Sequence, residues 1–224
     1  MTPTAIVTGA GSGFGLALTL ALASRGDHVV AVARDGTRLH TALAGVPGVT
    51  LHTGDVTDPG LGPPLLVAVG GRLDLLVHNA GELGPSPLPH LADYPVSALR
   101  QVLETTVVGP LQLTQALLPA LRAAHGTIVT LSSDAAVEPY EGWGGYGLAK
   151  AAADHAAAVL AVEEPDLRVY AFDPGDMRTA MHQRAFPGED ISDRPDPATV
   201  VPALLRLLES RPTSGRYTAE LVTS

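Results

Sequence analysis

The chain contains no cysteine, a single lysine, one tryptophan and no apolar stretch long enough to span a bilayer. Each shortage removes a class of protein. Without thiols there is no disulfide framework, no cysteine–zinc site and no thiol nucleophile. Aromatic residues make up 4% of 224 positions, so a core must be assembled from small aliphatic side chains packed closely between layers, which favours helices against a sheet. The formal net charge of −9, with its arginines scattered, repels a phosphate backbone, and nucleic acid is not an expected partner. The eight histidines show no HExxH or comparable spacing, so no metal site is expected. The chain begins MTPTAIVTGAG with no basic stretch followed by an apolar one, and the expectation is a cytoplasmic protein that neither enters nor binds a membrane.

What is present is a regular alternation. Short apolar runs lie at 5–8, 28–33, 49–53, 73–78, 127–133, 167–173 and 215–222, and stretches with helical spacing lie at 13–25, 57–70, 98–123, 146–163 and 197–209. Near-continuous apolar strands separated by helices predict an α/β fold: one doubly wound, Rossmann-type domain over 1–224, with a parallel sheet of about seven strands and helices on both faces. The segments 82–97 and 180–197 are rich in Pro, Gly and charge and too long for simple connectors. Open α/β sheets bind ligands beyond the carboxyl ends of their strands, so these segments are the expected substrate-covering loops.

Two local patterns carry chemistry. TGAGSGFG at 8–15 follows the first strand and opens the first helix. Its glycines permit a tight turn and close approach to a pyrophosphate, whose charge suits a helix N-terminus. In GWGGYGLAK, Tyr146 and Lys150 are four residues apart and share one face of the expected helix. Of the 14 basic residues, 13 are arginine. A compact ammonium suits tuning a neighbouring phenol toward working pH, as a planar guanidinium does not. Taken alone, the glycines also fit an ordinary turn, and the pair an ordinary exposed contact.

The sequence resembles the short-chain dehydrogenase/reductase family. Its T-G-x-x-x-G-x-G fingerprint is matched by Thr8, Gly9, Gly13 and Gly15, with Ser12 and Phe14 between them. GDVTD at 54–58 matches the adenine-contacting pair, here Asp55 and Val56. HNAG at 78–81 matches the Asn-Ala-Gly at the end of the fourth strand, here Asn79, Ala80 and Gly81. DPGDMRT at 173–179 matches the nicotinamide border, here Pro174, Gly175, Met177 and Thr179. The resemblance implies that Ser133, Tyr146 and Lys150 are the catalytic trio of an NADPH-dependent oxidoreductase acting on a small carbonyl or alcohol (a ketoreductase or alcohol dehydrogenase). Ser133 holds the substrate oxygen, Tyr146 is the general acid/base, and Lys150 binds the nicotinamide ribose while tuning the tyrosine. Arg34, where NAD-type members carry an acidic residue one position earlier, implies NADP(H) over NAD(H), and Arg38 adds a second charge.

Thr106 stands where most members place an asparagine that anchors a water in the proton relay. That change leaves open non-redox chemistry such as dehydration or isomerisation on the same scaffold; a further alternative, an NADP-binding regulatory or scaffold protein without turnover, is opposed by the intact Ser/Tyr/Lys set. Family members usually assemble through their helices, so a homo-oligomer, dimer or tetramer, is expected. Trp143 is placed at the substrate mouth, His155 and His182 are read as surface or packing residues, and Asp173 and Asp176 receive no role.

Overall fold

The computed structural model describes residues 2–223. Seven parallel strands, β1 (Thr4–Thr8), β2 (His28–Ala33), β3 (Val49–Thr53), β4 (Leu75–His78), β5 (Thr127–Leu131), β6 (Arg168–Asp173) and β7 (Gly215–Thr218), form one sheet in the order β3-β2-β1-β4-β5-β6-β7. The apolar runs are continuous because both faces are covered. Side chains alternate across a strand, so Ala5 and Val7 enter one core while Ile6 enters the other.

The first core lies under α1 (Gly13–Ser24), α2 (Gly36–Leu43) and α8 (Pro197–Ser210), with Leu18, Leu39, Phe172 and Leu204 fully enclosed. The second lies under α3 (Gly62–Ala68), α5 (Gly109–Ala124) and α6 (Gly144–Glu163), centred on Leu65, Leu76, Leu117 and Leu121. The remaining helices are α4 (Val96–Leu103), the short α7 (Ala180–Ala185) and α9 (Ala219–Thr223). Among the described residues no helix is long and apolar enough to cross a membrane.

Several boundaries differ from the sequence expectation, each for a local reason. The helix expected from 57 begins at Gly62, because Asp55 accepts from Thr57 N and Asp58 from Gly60 N, which spends residues 55–60 on side-chain-closed turns. The unexpected α2 starts where Asp35 accepts from Arg38 N at 3.0 Å. Within the expected loop 180–197, Thr179 caps α7 by accepting from His182 N. The expected strand at 215–222 stops at Thr218 and turns into α9.

The helix expected over 98–123 is helical from 96 to 124 but interrupted by a π turn at Glu104–Val108. Gly109 follows it, and a Cβ there would lie 2.4 Å from Val56 O. Only glycine lets this helix pass so close to the end of β3, and the widened turn carries Thr106 inward against α6.

His78, at the end of β4, is sealed between β4 and α5, where its Nε2 meets Thr114 Oγ1 at 2.8 Å. Burial lowers its pKa to about 4. The unfolded chain therefore binds a proton that the folded chain refuses between about pH 6.5 and 4. The stability linked to His78 is full above that window and is lost as pH falls through it. Acidification from pH 7 to 5 should cost about 2 kcal/mol from this residue alone. Urea unfolding of the wild type and His78→Gln at both pH values checks this; an equal slope in the two proteins would refute it.

Candidate active site

Because every strand is parallel, all seven carboxyl ends emerge on one side of the sheet. The chain order reverses between β1 and β4, and a crevice opens at that switch point. A groove of about 350 Å³ runs from Arg34 and Arg38 across the glycine loop to Tyr146 and Lys150. A second cavity of about 460 Å³ continues beyond, and Tyr146, Ser132, Pro174, Met177, Thr179 and Met181 border both.

The glycine loop is held from beneath. Asn79 Nδ2 donates to Thr8 O at 2.8 Å and Gly9 O at 3.3 Å, while Thr8 Oγ1 accepts from the backbone N–H groups of Asn79 and Ala80. Gly9 has φ +68°, and a Cβ on it would lie 2.7 Å from Asn79 Nδ2. Gly15 permits the same closeness from the helix side, since its Cβ would lie 2.5 Å from Gly9 O. The result is a cradle of bare backbone at the start of α1, whose first turn carries no acidic side chain and whose N-terminal N–H groups receive no side-chain cap.

Gly9, Ser12 and Gly13 face the groove. Phe14 also borders it but is mainly core, stacked on Phe172 at 6.4 Å. Gly15 does not border the groove; it lies under the loop and acts through packing. Asp55, Val56, Asn79, Ala80, Gly81, Pro174, Met177 and Thr179 line the groove as expected, whereas Gly175 lines only the second cavity.

At the far end Arg34 is 73% exposed and stands 3.8 Å from Asp55 Oδ2. Asp35 also lines the groove, yet its Oδ1 is engaged by the α2 N-terminus, so the acidic neighbour of Arg34 is occupied with capping.

At the near end Lys150 is 6% exposed. Its Nζ donates to Leu131 O and lies 5.5 Å from the centre of the Tyr146 ring. Burial lowers its pKa to about 8, while the carboxylates of Asp154 and Asp173 work in the opposite direction. Ser133 Oγ donates to Asp134 Oδ1 at 2.9 Å and accepts from Ala135 N at 3.2 Å. The Tyr146 phenol is pushed well above the ordinary range, first by burial and then by the carboxylates of Asp173, Asp134 and Asp176, while the nearby Ser133 hydroxyl acts the other way. This corrects the expectation of a phenol tuned down by lysine. In the protein alone, desolvation and three carboxylates outweigh one distant ammonium. Thr106 is buried in the π turn, with Oγ1 enclosed and without a hydrogen-bond partner among the described residues, and its neighbour Thr105 reaches the groove.

The second cavity is walled by rings. Trp143 meets Tyr146 edge-on at 5.6 Å and Phe186 at 5.9 Å, and Phe186 meets His182 at 4.9 Å. His182 is therefore part of a pocket wall and not only a packing residue. Ser133 lines this cavity and not the groove. The loops at 82–97 and 180–197 are clipped together: Ser86 Oγ donates to Arg184 O at 2.6 Å, and Arg184 pairs with Glu82 at 3.1 Å.

Sequence reasoning missed Ser132, Asp154 and Arg216, which join Asp173 in a hydrogen-bonded group behind the trio. No spacing rule marks them, because each contact is made between distant segments.

The groove fits a nicotinamide dinucleotide: a backbone cradle that side chains would fill, cations at one end, and a buried lysine and phenol at the other. Comparison with known proteins agrees. The family model described as short chain dehydrogenase matches residues 3–190. An uncharacterized oxidoreductase of Schizosaccharomyces pombe is 34% identical over 179 residues, covering 79% of this chain and 71% of the yeast protein. Sepiapterin reductase of Rattus norvegicus is 36% identical over 200 residues, covering 80% of this chain and 76% of its own. Against other curated relatives the match spans as little as 51% of their length. A short chain dehydrogenase of Shigella flexneri, crystallised with NADP, superposes with a TM-score of 0.87 at 30% identity, covering 97% of both chains. With the fold, the cradle and this match across most of its length, the chain belongs to the short chain dehydrogenase family of oxidoreductases.

Proposed function

We propose that this protein is an NADPH-dependent reductase of a small carbonyl compound, working reversibly as an alcohol dehydrogenase, with Tyr146 as general acid/base. The observation that carries this reading is the position of Tyr146, shared between the cofactor-sized groove and the ring-walled cavity, with Ser133 on one side and buried Lys150 on the other. The NADP bound to the Shigella flexneri relative supports the choice of nucleotide.

Gly9, Ser12, Gly13 and the start of α1 hold the pyrophosphate in this reading, and Asp55 and Val56 border the adenine. Arg34 and Arg38 take the 2′-phosphate, which a planar fork recognises well. Lys150 holds the nicotinamide ribose, and Asn79, Ala80, Gly81, Pro174, Met177 and Thr179 border the ring. When bound, the reduced nicotinamide supplies hydride to the carbonyl carbon. Ser133 Oγ donates a hydrogen bond to the carbonyl oxygen and steadies the charge that develops there. Tyr146, kept protonated by its raised pKa, donates its phenolic proton to that oxygen, and Lys150 stabilises the phenolate left behind.

Trp143, Phe186 and Met181 shield the reacting centre from water and suit a substrate with an apolar or ring-containing body. The buried Thr106 hydroxyl is suited to hold a water beside Lys150 in place of the usual amide. The same reading treats 1–224 as one domain with 82–97 and 180–197 as the substrate-covering loops. The exposed apolar Val108, Leu111, Leu148 and Val159 on α5, the preceding π turn and α6 support a homo-oligomer.

Four outcomes test the reading on purified protein with a panel of ketones and alcohols. Tyr146→Phe should lose at least about 100-fold in kcat while still quenching and binding NADPH, because only the proton donor is removed. In the wild type, alcohol oxidation should climb through the alkaline range as the phenol ionises, while ketone reduction holds at neutral pH; parallel profiles would contradict the acid/base assignment. Lys150→Arg should fold normally, as seen by circular dichroism, yet turn over about 10-fold or more slowly, since a guanidinium cannot occupy the ammonium's position between Leu131 O and Tyr146. Replacing Arg34 and Arg38 together with Ala should shift the NADPH/NADH ratio of kcat/KM at least about 10-fold toward NADH. An unchanged ratio would remove the case for the 2′-phosphate. NADPH binding that depends on Arg34, with no turnover of any substrate, would instead favour a binding module.

A further inference from the structure

β7 closes the sheet edge, and Arg216 is its second residue. Its guanidinium turns back behind the catalytic trio. Nε donates to Asp154 Oδ2 at 3.2 Å, and Nη2 donates to Asp173 Oδ2 at 2.8 Å and to the Ser133 carbonyl at 3.0 Å. The same Asp154 oxygen accepts from Ser132 Oγ at 2.6 Å. The group is largely enclosed: the side chains of Arg216, Asp154 and Asp173 are 28%, 14% and 8% exposed.

Four segments meet on this one cation. The turn after β5 brings Ser132 and Ser133, α6 brings Asp154 together with Tyr146 and Lys150, β6 brings Asp173, and β7 brings the guanidinium. Arg216 lines neither the groove nor the cavity, so it has no path to a substrate or a nucleotide. Its hold on the Ser133 carbonyl fixes the backbone of the turn that presents Ser133 to the cavity Tyr146 also borders. Its charge also matters locally, because Lys150 and Arg216 together oppose Asp154 and Asp173, two cations against two carboxylates.

We propose that Arg216 is a positioning residue for the reductase chemistry set out above: its guanidinium clamps the Ser133 turn to α6 and balances the two carboxylates around Lys150. This rests on the reductase reading for its catalytic consequence, but not for its electrostatic one. A fork with three acceptors in different directions is work for arginine, and a point-charge ammonium cannot satisfy all three. Loss of the cation leaves two enclosed carboxylates uncompensated beside the trio.

The charged groups acting on Lys150 are Asp154 from its own helix and Asp173 from β6. Those acting on Tyr146 are Asp173, Asp134 in the turn after β5, and Asp176 in the loop after β6. Ser132 and Ser133 are the neutral polar groups of the turn beside them. Removing Arg216 therefore strengthens the negative field on both groups, whereas neutralising Asp154 weakens it on Lys150. The two changes must act in opposite directions.

Lys150 is the only lysine in the chain, so protein grown with 13Cε-labelled lysine gives a single lysine resonance that reports this ammonium whether or not a substrate is turned over. The pH midpoint of that resonance should rise in Arg216→Met and fall in Asp154→Asn, each by about half a pH unit or more, a threefold or larger change in the ionisation constant. In kinetics, Arg216→Met should lower kcat about 10-fold or more, leave the KM for NADPH within about twofold, and move the alkaline rise of alcohol oxidation to higher pH. Arg216→Lys should keep the position of that rise, because the charge stays, but should not recover kcat, because the fork is gone.

A residue that merely stiffened the sheet edge would lower activity without moving the lysine midpoint, and two unmoved midpoints overturn the proposal. If Arg216→Met fails to fold, Asp154→Asn decides the electrostatic half by the sign of its shift. A wild type that reduces no carbonyl compound sinks the reductase reading while the lysine titration still decides the network. A wild type that turns over, with midpoints unmoved, leaves the reductase reading standing and removes Arg216 from it.

Discussion

A parallel sheet covered on both faces must pair its backbone groups internally and return every strand from the same end, and the rest of this molecule depends on that constraint. Crossover helices carry the chain back each time, so seven carboxyl ends collect along one edge. Where the order reverses between β1 and β4, neighbouring crossovers diverge and leave a crevice. The glycine loop after β1, Asn79 after β4, the serine turn after β5 and the Pro174 segment after β6 all border that space because strand polarity puts them there. The site is a consequence of how the core is closed.

The crevice demands close approach, and glycine supplies it at two levels. At the loop, Gly9 and Gly15 let Asn79 reach two carbonyls from below, so the cradle is supported by side-chain hydrogen bonds without being filled by side chains. Along the helix bordering β3, Gly109 lets the backbone pass against Val56 O just after the π turn. That turn packs against α6 and buries Thr106. Packing and polarity are thus set by the same few positions.

Behind the reacting groups the problem is electrostatic. Lys150 is almost fully enclosed, and that burial lowers its affinity for a proton; Tyr146 resists ionisation first through burial and then through the carboxylates of Asp173, Asp134 and Asp176. The protein meets this with a nearly neutral cluster, two cations and two carboxylates, stitched by short hydrogen bonds to the turn that carries Ser133. Such clusters contribute little net stability but hold geometry, because any one member removed leaves a costly unpaired partner. Trp143, Phe186 and His182 form the aromatic wall of the second cavity on the other side of Tyr146.

The parallel sheet, its seven strands and most helices follow from periodicity that any local window of the chain displays, and the glycine loop, Ser133, Tyr146 and Lys150 stand out by spacing because their neighbours in sequence are also neighbours in space. Where side chains compete with the backbone, local pattern misleads: Asp55 and Asp58 delay α3, Asp35 starts α2, and Thr218 gives way to α9. The cluster on Arg216 was illegible, since its bonds join residues 62 and 83 positions apart and neither Arg216 nor Asp154 belongs to a recognisable motif. The direction of the Tyr146 shift was hidden for the same reason, because it depends on burial and on carboxylates from three separate segments. By itself the sequence determined which polar groups share one helix face, since four residues of helix set the tyrosine–lysine pair; only the tertiary structure decided their electrostatic surroundings, since desolvation and long-range ion pairs exist only once the sheet edge has closed around them.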